Sequence, residues 1–314
     1  MKILLISLGA ILALLVAAFL VLSTPDTDPG AMKAKYGGPE ARYAKSGRMR
    51  VHYRASGPED RPVLVMIHGS LASLHTWEPL RARLEQDYRV IAYDQPGHGL
   101  TGPHPERDYS FTGLEEALTA VLDAEGVERA TLIGSSFGGW LAWRDAIVNP
   151  GRVDRLVLIS AAGLEVPQQQ EGEGNLGFRI LNTPVAREAI KRITPRFIIA
   201  SSLKDTVEVK SIVDDAMVDR YWELLRYPGN RAAAIDQSLT ELEDLSGRLG
   251  EIGVPTLILW GRQDALVPVG GADVFDARIP NSELVIYDGV GHLPMEEVPD
   301  KVAADIRDFL EANP

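Results

Sequence analysis

Residues Gly134-Ser135-Ser136-Phe137-Gly138 form the pattern G-x-S-x-G. A strand-like apolar run at 130–133 precedes them, and helical spacing follows from 137 to 148. Where a strand hands over to a helix, this pattern makes a turn so tight that bulk two positions either side of the central serine would collide with it. Gly134 and Gly138 supply that lack of bulk, and Gly139 and Ala142 let the following helix lie close to the sheet. Ser136 is then held clear of the sheet edge, at the positive end of a helix. Taken alone, the pentapeptide also fits an ordinary small-residue turn, so its chemistry depends on partners. A serine hydroxyl attacks only with a base to take its proton, and the base needs an acid to fix its tautomer.

The six histidines are His52, His68, His75, His98, His104 and His292. In a chain order of serine, acid, then histidine, only His292 follows the serine; it sits in DGVGHLPMEE, after the last strand-like run. The acid should also follow a strand, and Asp264 does so in LILWGRQDALVP. Asp273 and Asp276 fall in a helical pattern, and Glu165 follows an earlier strand; these are the weaker alternatives. Attack on a carbonyl also needs hydrogen-bond donors for the oxyanion. The backbone N–H of Phe137 is one candidate. The second is the N–H of Ser70 in the loop IHGSLASLHTW, with Leu71 as the alternative. In that loop His68 reads as structural, bonding backbone rather than moving protons.

These residues must be held by a framework, and the hydrophobic pattern describes one. Strand-like runs are expected at 48–54, 62–67, 89–93, 130–133, 153–159, 255–260 and 283–287, the second a continuous apolar run of the kind buried on both faces. Helical spacing occupies 74–86, 111–124, 137–148 and 299–312. Alternation of the two implies βαβ units and a mostly parallel sheet, an α/β fold. From 165 to 250 the alternation stops, and helices are expected at 179–192, 209–227 and 232–248. The sequence therefore divides into a core of 42–164 and 251–314 with a helical insertion, 165–250, between two strands.

At the N-terminus, Ile3 to Leu22 is twenty residues without a charge, preceded only by Lys2. A helix of that length reaches roughly 30 Å, the thickness of a bilayer core. Residues 1–23 read as an uncleaved membrane anchor, with a cleaved signal peptide as the alternative. The charge bias places the rest of the chain outside the cytoplasm, tethered to the membrane or secreted after cleavage. Residues 24–41, rich in Pro, Gly and Asp, read as a linker. The net charge of −12 argues against a nucleic-acid partner, and the absence of cysteine excludes disulfides, thiolate metal sites and a thiol nucleophile.

The motifs HGS at His68, DQPGHG at Asp94, GSSFGG at Gly134, WGRQDALVP at Trp260 and GVGHLPMEEVP at Gly289 together resemble the α/β-hydrolase superfamily, in its order. The resemblance covers residues 42–313 and implies a central sheet flanked by helices, with the 165–250 insertion as a helical cap over the active site. Haloalkane dehalogenases and epoxide hydrolases of this fold carry aspartate at the elbow, where this chain has Ser136. The meta-cleavage-product hydrolases, which cut carbon–carbon bonds, use a serine but typically have a longer glycine run than HGSLAS provides. Carboxylesterases, lipases and lactonases fit without conflict.

The resemblance thus implies a serine hydrolase acting on an ester, expected to be hydrophobic or lipid-like, through an acyl-enzyme and without metal or organic cofactor. The alternatives are a carbon–carbon, amide or lactone hydrolase and, more remotely, a non-catalytic ligand-binding protein of the same fold. Candidate pocket residues are Leu71, Trp77, Tyr221 and Trp222, with Phe137 beside the nucleophile. Phe178, Phe197 and Tyr227 add to the aromatic content of the insertion. Packing in the core is the competing role for each helical aromatic.

Overall fold

The computed structural model describes Phe19, residues 22–164 and residues 191–314. Eight strands form one sheet: β1 (Arg42–Ser46), β2 (Met49–Ser56), β3 (Val63–Ile67), β4 (Arg89–Tyr93), β5 (Ala130–Ser135), β6 (Val153–Ile159), β7 (Thr256–Gly261) and β8 (Ser282–Tyr287). Their order is β1-β2-β4-β3-β5-β6-β7-β8, with β2 antiparallel to both neighbours and every later pairing parallel. The longer helices are α1 (Glu78–Leu84), α2 (Phe111–Glu125), α3 (Phe137–Val148), α4 (Arg196–Thr206), α5 (Asp215–Leu225), α6 (Asn230–Leu239), α7 (Gly270–Arg278) and α8 (Pro299–Ala312).

Alternating strand residues feed two cores. Val65 and Ile67 of β3, with Ile258 and Trp260 of β7, pack among α2, α3 and α7. Leu64, Met66, Leu257 and Leu259 point the other way, against α1 and α8. Helices on both faces explain why the parallel strands read as continuous apolar runs. Connections between parallel strands leave the loops after β3, β5, β7 and β8 together along the carboxyl edge of the sheet, where open α/β sheets place their ligands.

The described part of the insertion, 191–250, contains helices and no strand of the sheet. Its pattern differs from the expected one. Helix α4 was not anticipated, α5 starts late because the Asp214 side chain caps it by accepting from the Met217 N–H at 2.8 Å, and α6 ends at Leu239. Lys191 and Arg192, the last two residues of the expected helix at 179–192, form a turn rather than helix; the rest of it, together with Phe178 and Glu165, lies outside the described residues. So does nearly all of the apolar segment 3–22; among the described residues no helix is long and apolar enough to cross a membrane.

Residues 24–41 are not a free linker. Ser23 bridges Ile193, and the Thr27 N–H donates to Arg226 O. Arg231 donates to Thr24 O at 2.9 Å and pairs with Asp26 at 2.6 Å. Met32 and Tyr36 are buried with Leu100 and Leu224, against Tyr227. Tyr36 O–H and Lys35 Nζ both reach Glu223 Oε2 at 2.7 Å, while Arg54 holds the carbonyls of Tyr36 and Gly37 from the core side. The segment is a strap bonded to the insertion and the core together.

Candidate active site

Ser136 lies between the end of β5 and the start of α3, at φ 53° and ψ −120°. A side chain rarely adopts these angles, and holding them costs about 1–3 kcal/mol. Backbone bonds over-determine the turn: the Ser136 N–H donates to Ile159 O at 3.0 Å, and its carbonyl accepts from Trp140 and Ala162 at 3.1 and 2.9 Å. The flanking glycines are sterically required. A Cβ on Gly134 would sit 2.3 Å from Gly138 O, and one on Gly138 would sit 2.1 Å from Ile67 O.

Asp264 follows β7 and His292 follows β8; both are buried. His292 Nδ1 lies 2.8 Å from Asp264 Oδ2. The other carboxylate oxygen accepts from the N–H groups of Leu266 and Val267, each at 2.9 Å, so the acid cannot rotate without losing them. The two loops are also tied to each other: Gln263 N–H donates to Val290 O, and Gln263 Oε1 accepts from the Gly289 N–H at 2.8 Å. With Nδ1–H committed to Asp264, Nε2 is the lone pair left to take a proton. Ser136 and His292 line one cavity of about 220 Å³.

The loop after β3 passes beside the serine: a Cβ on Gly69 would lie 2.9 Å from Ser136 Cβ. Leu71 takes φ 61°, in the left-handed region. Its N–H donates to His98 Nε2 at 3.1 Å, which removes Leu71 from the candidate oxyanion donors and leaves Ser70. The Ser70 N–H has no acceptor among the described residues, and Phe137, the first residue of α3, has none within its helix. His98 Nδ1 faces Pro96 O at 3.1 Å, so a carbonyl fixes one ring nitrogen as donor and an amide fixes the other as acceptor. Burial, with the neighbouring His68, lowers the His98 pKa to about 3, in keeping with that neutral ring. His68 is held the same way, between Gly69 O at 2.8 Å and the Gln95 N–H at 3.0 Å, and burial lowers its pKa too.

Beneath this loop lies a group the sequence reading did not single out. The fully buried Asp94 carboxylate accepts from His52 Nδ1 at 2.7 Å and from the N–H groups of Leu74 and Leu100, each at 2.8 Å. Burial alone would raise its pKa, but the His52 hydrogen bond and the surrounding histidines hold it well below the usual carboxylate range. Its only sequence signal is its place in DQPGHG.

The candidate pocket residues divide. Leu71 and Tyr221 line the cavity at Ser136. A second cavity, about 570 Å³ and mostly apolar, is lined by Leu71, Phe137, Ile193, Ile198, Ile235 and Leu242 among others, and shares Ser70, Leu71 and Leu225 with the first. Trp77 lines neither; it is fully buried among Leu64, Leu80 and Leu84 in the core. Trp222 lines neither as well, because its Nε1–H donates to Thr194 O at 2.6 Å and Arg226 lies 4.0 Å above its ring. Tyr227 packs on the strap, and Phe197 is 67% exposed. Among the described residues no group of three or more His, Asp or Glu side chains could hold a metal.

Residues 62–299 match the family model for the alpha/beta hydrolase fold. A 2-hydroxy-6-oxononadienedioate/2-hydroxy-6-oxononatrienedioate hydrolase of Pseudomonas putida is 32% identical over 275 residues, 84% of this chain and 92% of its own. An uncharacterized protein of Mycobacterium tuberculosis is 28% identical over 80% of this chain and 75% of its own. Among solved structures, a bacterial membrane phospholipase A superposes with a TM-score of 0.74 at 25% identity, covering 99% of both chains. An esterase from Rhodococcus gives 0.70 at 26% identity, over 88% of this chain and 100% of its own. With its eight-stranded, mostly parallel sheet flanked by helices and a family match across most of its length, the chain belongs to the α/β-hydrolase family.

Proposed function

We propose that this hydrolase is a serine esterase acting on hydrophobic or lipid-like carboxylic esters. The observation that carries the reading is the large apolar cavity, which meets the Ser136 cavity at Ser70, Leu71 and Leu225 and so offers an acyl chain room beside the nucleophile. His292 Nε2 takes the Ser136 proton as the hydroxyl oxygen bonds to the ester carbonyl carbon. Asp264 keeps the ring oriented and stabilises the imidazolium. The N–H groups of Phe137 and Ser70 receive the oxyanion; His292 returns the proton to the leaving alcohol, and water then repeats the attack on the acyl-enzyme. Each oxyanion donor is worth about 3–4 kcal/mol in the transition state.

The carbon–carbon reading draws support from the Pseudomonas putida relative, whose name specifies a dioate substrate. A dicarboxylate is held most strongly by cations, above all by bidentate Arg. Among the described residues no Lys or Arg lines the cavity at Ser136, and the one Arg at the larger cavity, Arg231, is already bonded to Thr24 and Asp26. This favours the ester.

A membrane-tethered, extracytoplasmic location fits the same picture. The strap begins where Ser23 bridges Ile193, itself a lining residue of the apolar cavity, and the exposed Phe197 and Ile198 lie close by in sequence. The apolar 3–22 stretch therefore joins the chain near the cavity rim.

The deciding assay compares the full chain with its Ser136→Ala variant on p-nitrophenyl esters of graded acyl length and on a 2-hydroxy-6-oxo-dienoate. Serine-dependent turnover of medium or long acyl esters is expected. Turnover of the dienoate alone, or a sharp preference for acetate, would overturn the reading.

A further inference from the structure

We infer that Glu297 is a positioning residue that builds the backbone of the His292 loop and fixes it to the chain leaving α4; its importance for turnover rests on the role proposed for His292. The Glu297 carboxylate is buried and makes no ion pair among the described residues. Its partners are backbone N–H groups. Gly291 donates to both oxygens at 3.0 Å, Leu293 donates at 3.1 Å, and from the other side Glu208 and Val209 donate at 2.8 and 2.9 Å.

The His292 N–H, between the first two, donates to Thr206 O at 3.0 Å. Three successive amides, 291 to 293, are thus committed either to Glu297 or to the last turn of α4. The fit leaves no slack: a Cβ on Gly291 would lie 2.7 Å from Glu208 N and 2.8 Å from Thr206 O. A charged carboxylate suits four amide donors, because it only accepts. A carboxamide would turn an NH₂ toward N–H groups that have no other acceptor among the described residues.

Glu296, one residue earlier, makes a comparison within the same turn. It also ties the core to the insertion, but through side chains: Thr76 Oγ1 at 2.6 Å, Arg220 at 2.6 Å and Tyr221 at 3.0 Å. Its carboxylate makes no bond to residues 291–293, which the residue meets only through the helical bond from its own N–H to Leu293 O at 2.9 Å. Glu296 therefore joins the two regions without setting the imidazole, whereas Glu297 does both.

The test pairs Glu297→Gln with Glu296→Gln in the full chain, reading kcat and KM against pH on an ester that the Ser136→Ala variant leaves intact. Amide hydrogen exchange is read in parallel at 206–209 and 291–293. Glu297→Gln is expected to lower kcat by about 100-fold, as expected for a catalytic group displaced by roughly 1 Å, with KM changed by less than about 3-fold. It should also move the acid limb of the profile and speed exchange in both segments. Glu296→Gln should lose comparable thermal stability while keeping the acid limb and the protection of 291–293.

Wild-type kcat, acid limb and exchange in Glu297→Gln would overturn the inference, as would equal changes in the two variants. If Glu297→Gln does not fold, Val209→Pro decides. Val209 has φ −76°, which proline accepts, and the substitution deletes one donor from the far side. A kcat drop of about 3- to 10-fold with faster exchange at 291–293 is expected on the same geometric ground, and no change in either would refute it. Exchange needs no substrate. Failure of the esterase reading would show as turnover that survives Ser136→Ala, while the exchange data would still decide the role of Glu297.

Discussion

Replacing Gly138 with alanine adds a single methyl group, yet it should disable the site. The position is not in the left-handed region, so backbone freedom is not what the residue supplies; the cost is collision alone. The new Cβ would lie 2.1 Å from Ile67 O, 2.5 Å from His68 O and 2.6 Å from Ile67 C, all backbone atoms at the end of a central strand. To reach a tolerable contact, α3 and β3 must separate by roughly 1 Å, because core backbone at interior packing density has no void to move into. If α3 yields, it carries Ser136 and the Phe137 N–H with it. If β3 yields, it carries Gly69 and the Ser70 N–H.

Either way nucleophile and oxyanion donors part. Overpacking of this kind costs about 1–3 kcal/mol of stability, and a displacement near 1 Å costs about 100-fold in rate. Steady-state kinetics with the best p-nitrophenyl ester should show kcat reduced about 100-fold alongside a lowered Tm. Gly247→Ala, which meets nothing within 4 Å, is the matched control and should leave both unchanged. A Gly138→Ala enzyme with kcat within about 3-fold of wild type would refute the reasoning, because it would mean that the turn tolerates displacements on the scale proposed to abolish catalysis.

The Asp94 carboxylate, held below its ordinary pKa, contributes stability that is present above the unfolded value and is lost as pH falls through the folded one. Asp94→Asn should therefore cost about 3–5 kcal/mol near neutrality. The Tm gap to wild type should stay full down to about pH 4 and narrow below it; a gap that widens on acidification would contradict this. For the N-terminal segment, the full chain should sediment with membranes and resist carbonate extraction. A version lacking residues 1–22 should stay in the supernatant, and extraction of the full chain by carbonate would dispose of the tether.

How much of this could be read from the sequence depended on where each signal lies. Strands buried on both faces announced themselves as apolar runs, and the elbow was legible because G-x-S-x-G fell where a strand met a helix. Strand β1 escaped because Arg42–Ser46 buries only Ala44, leaving no alternation to see. Trp77 and Trp222 misled because an aromatic beside a site looks the same in sequence whether its ring faces the ligand or the core. The strap escaped because its holding bonds run to Arg226, Arg231 and Glu223, and Pro and Gly composition says nothing about partners so distant. Glu297 was visible only as one letter of GVGHLPMEEVP, since a carboxylate bonded to backbone amides has no side-chain partner to pair with by type.

The strap sets an order of events in folding. Its ion pair joins Asp26 to Arg231, 205 residues later, so the strap must wait for partners that emerge long after it is synthesised. Until then only its core-side partners, such as Arg54 with the Tyr36 and Gly37 carbonyls, are available to it, and closing so long a loop carries an entropic cost. If the nascent N-terminus is already fixed in a bilayer, the insertion must come to the strap rather than the reverse. Docking would then follow synthesis of the insertion, and it would bring the cavity rim to the place where the chain entered the membrane.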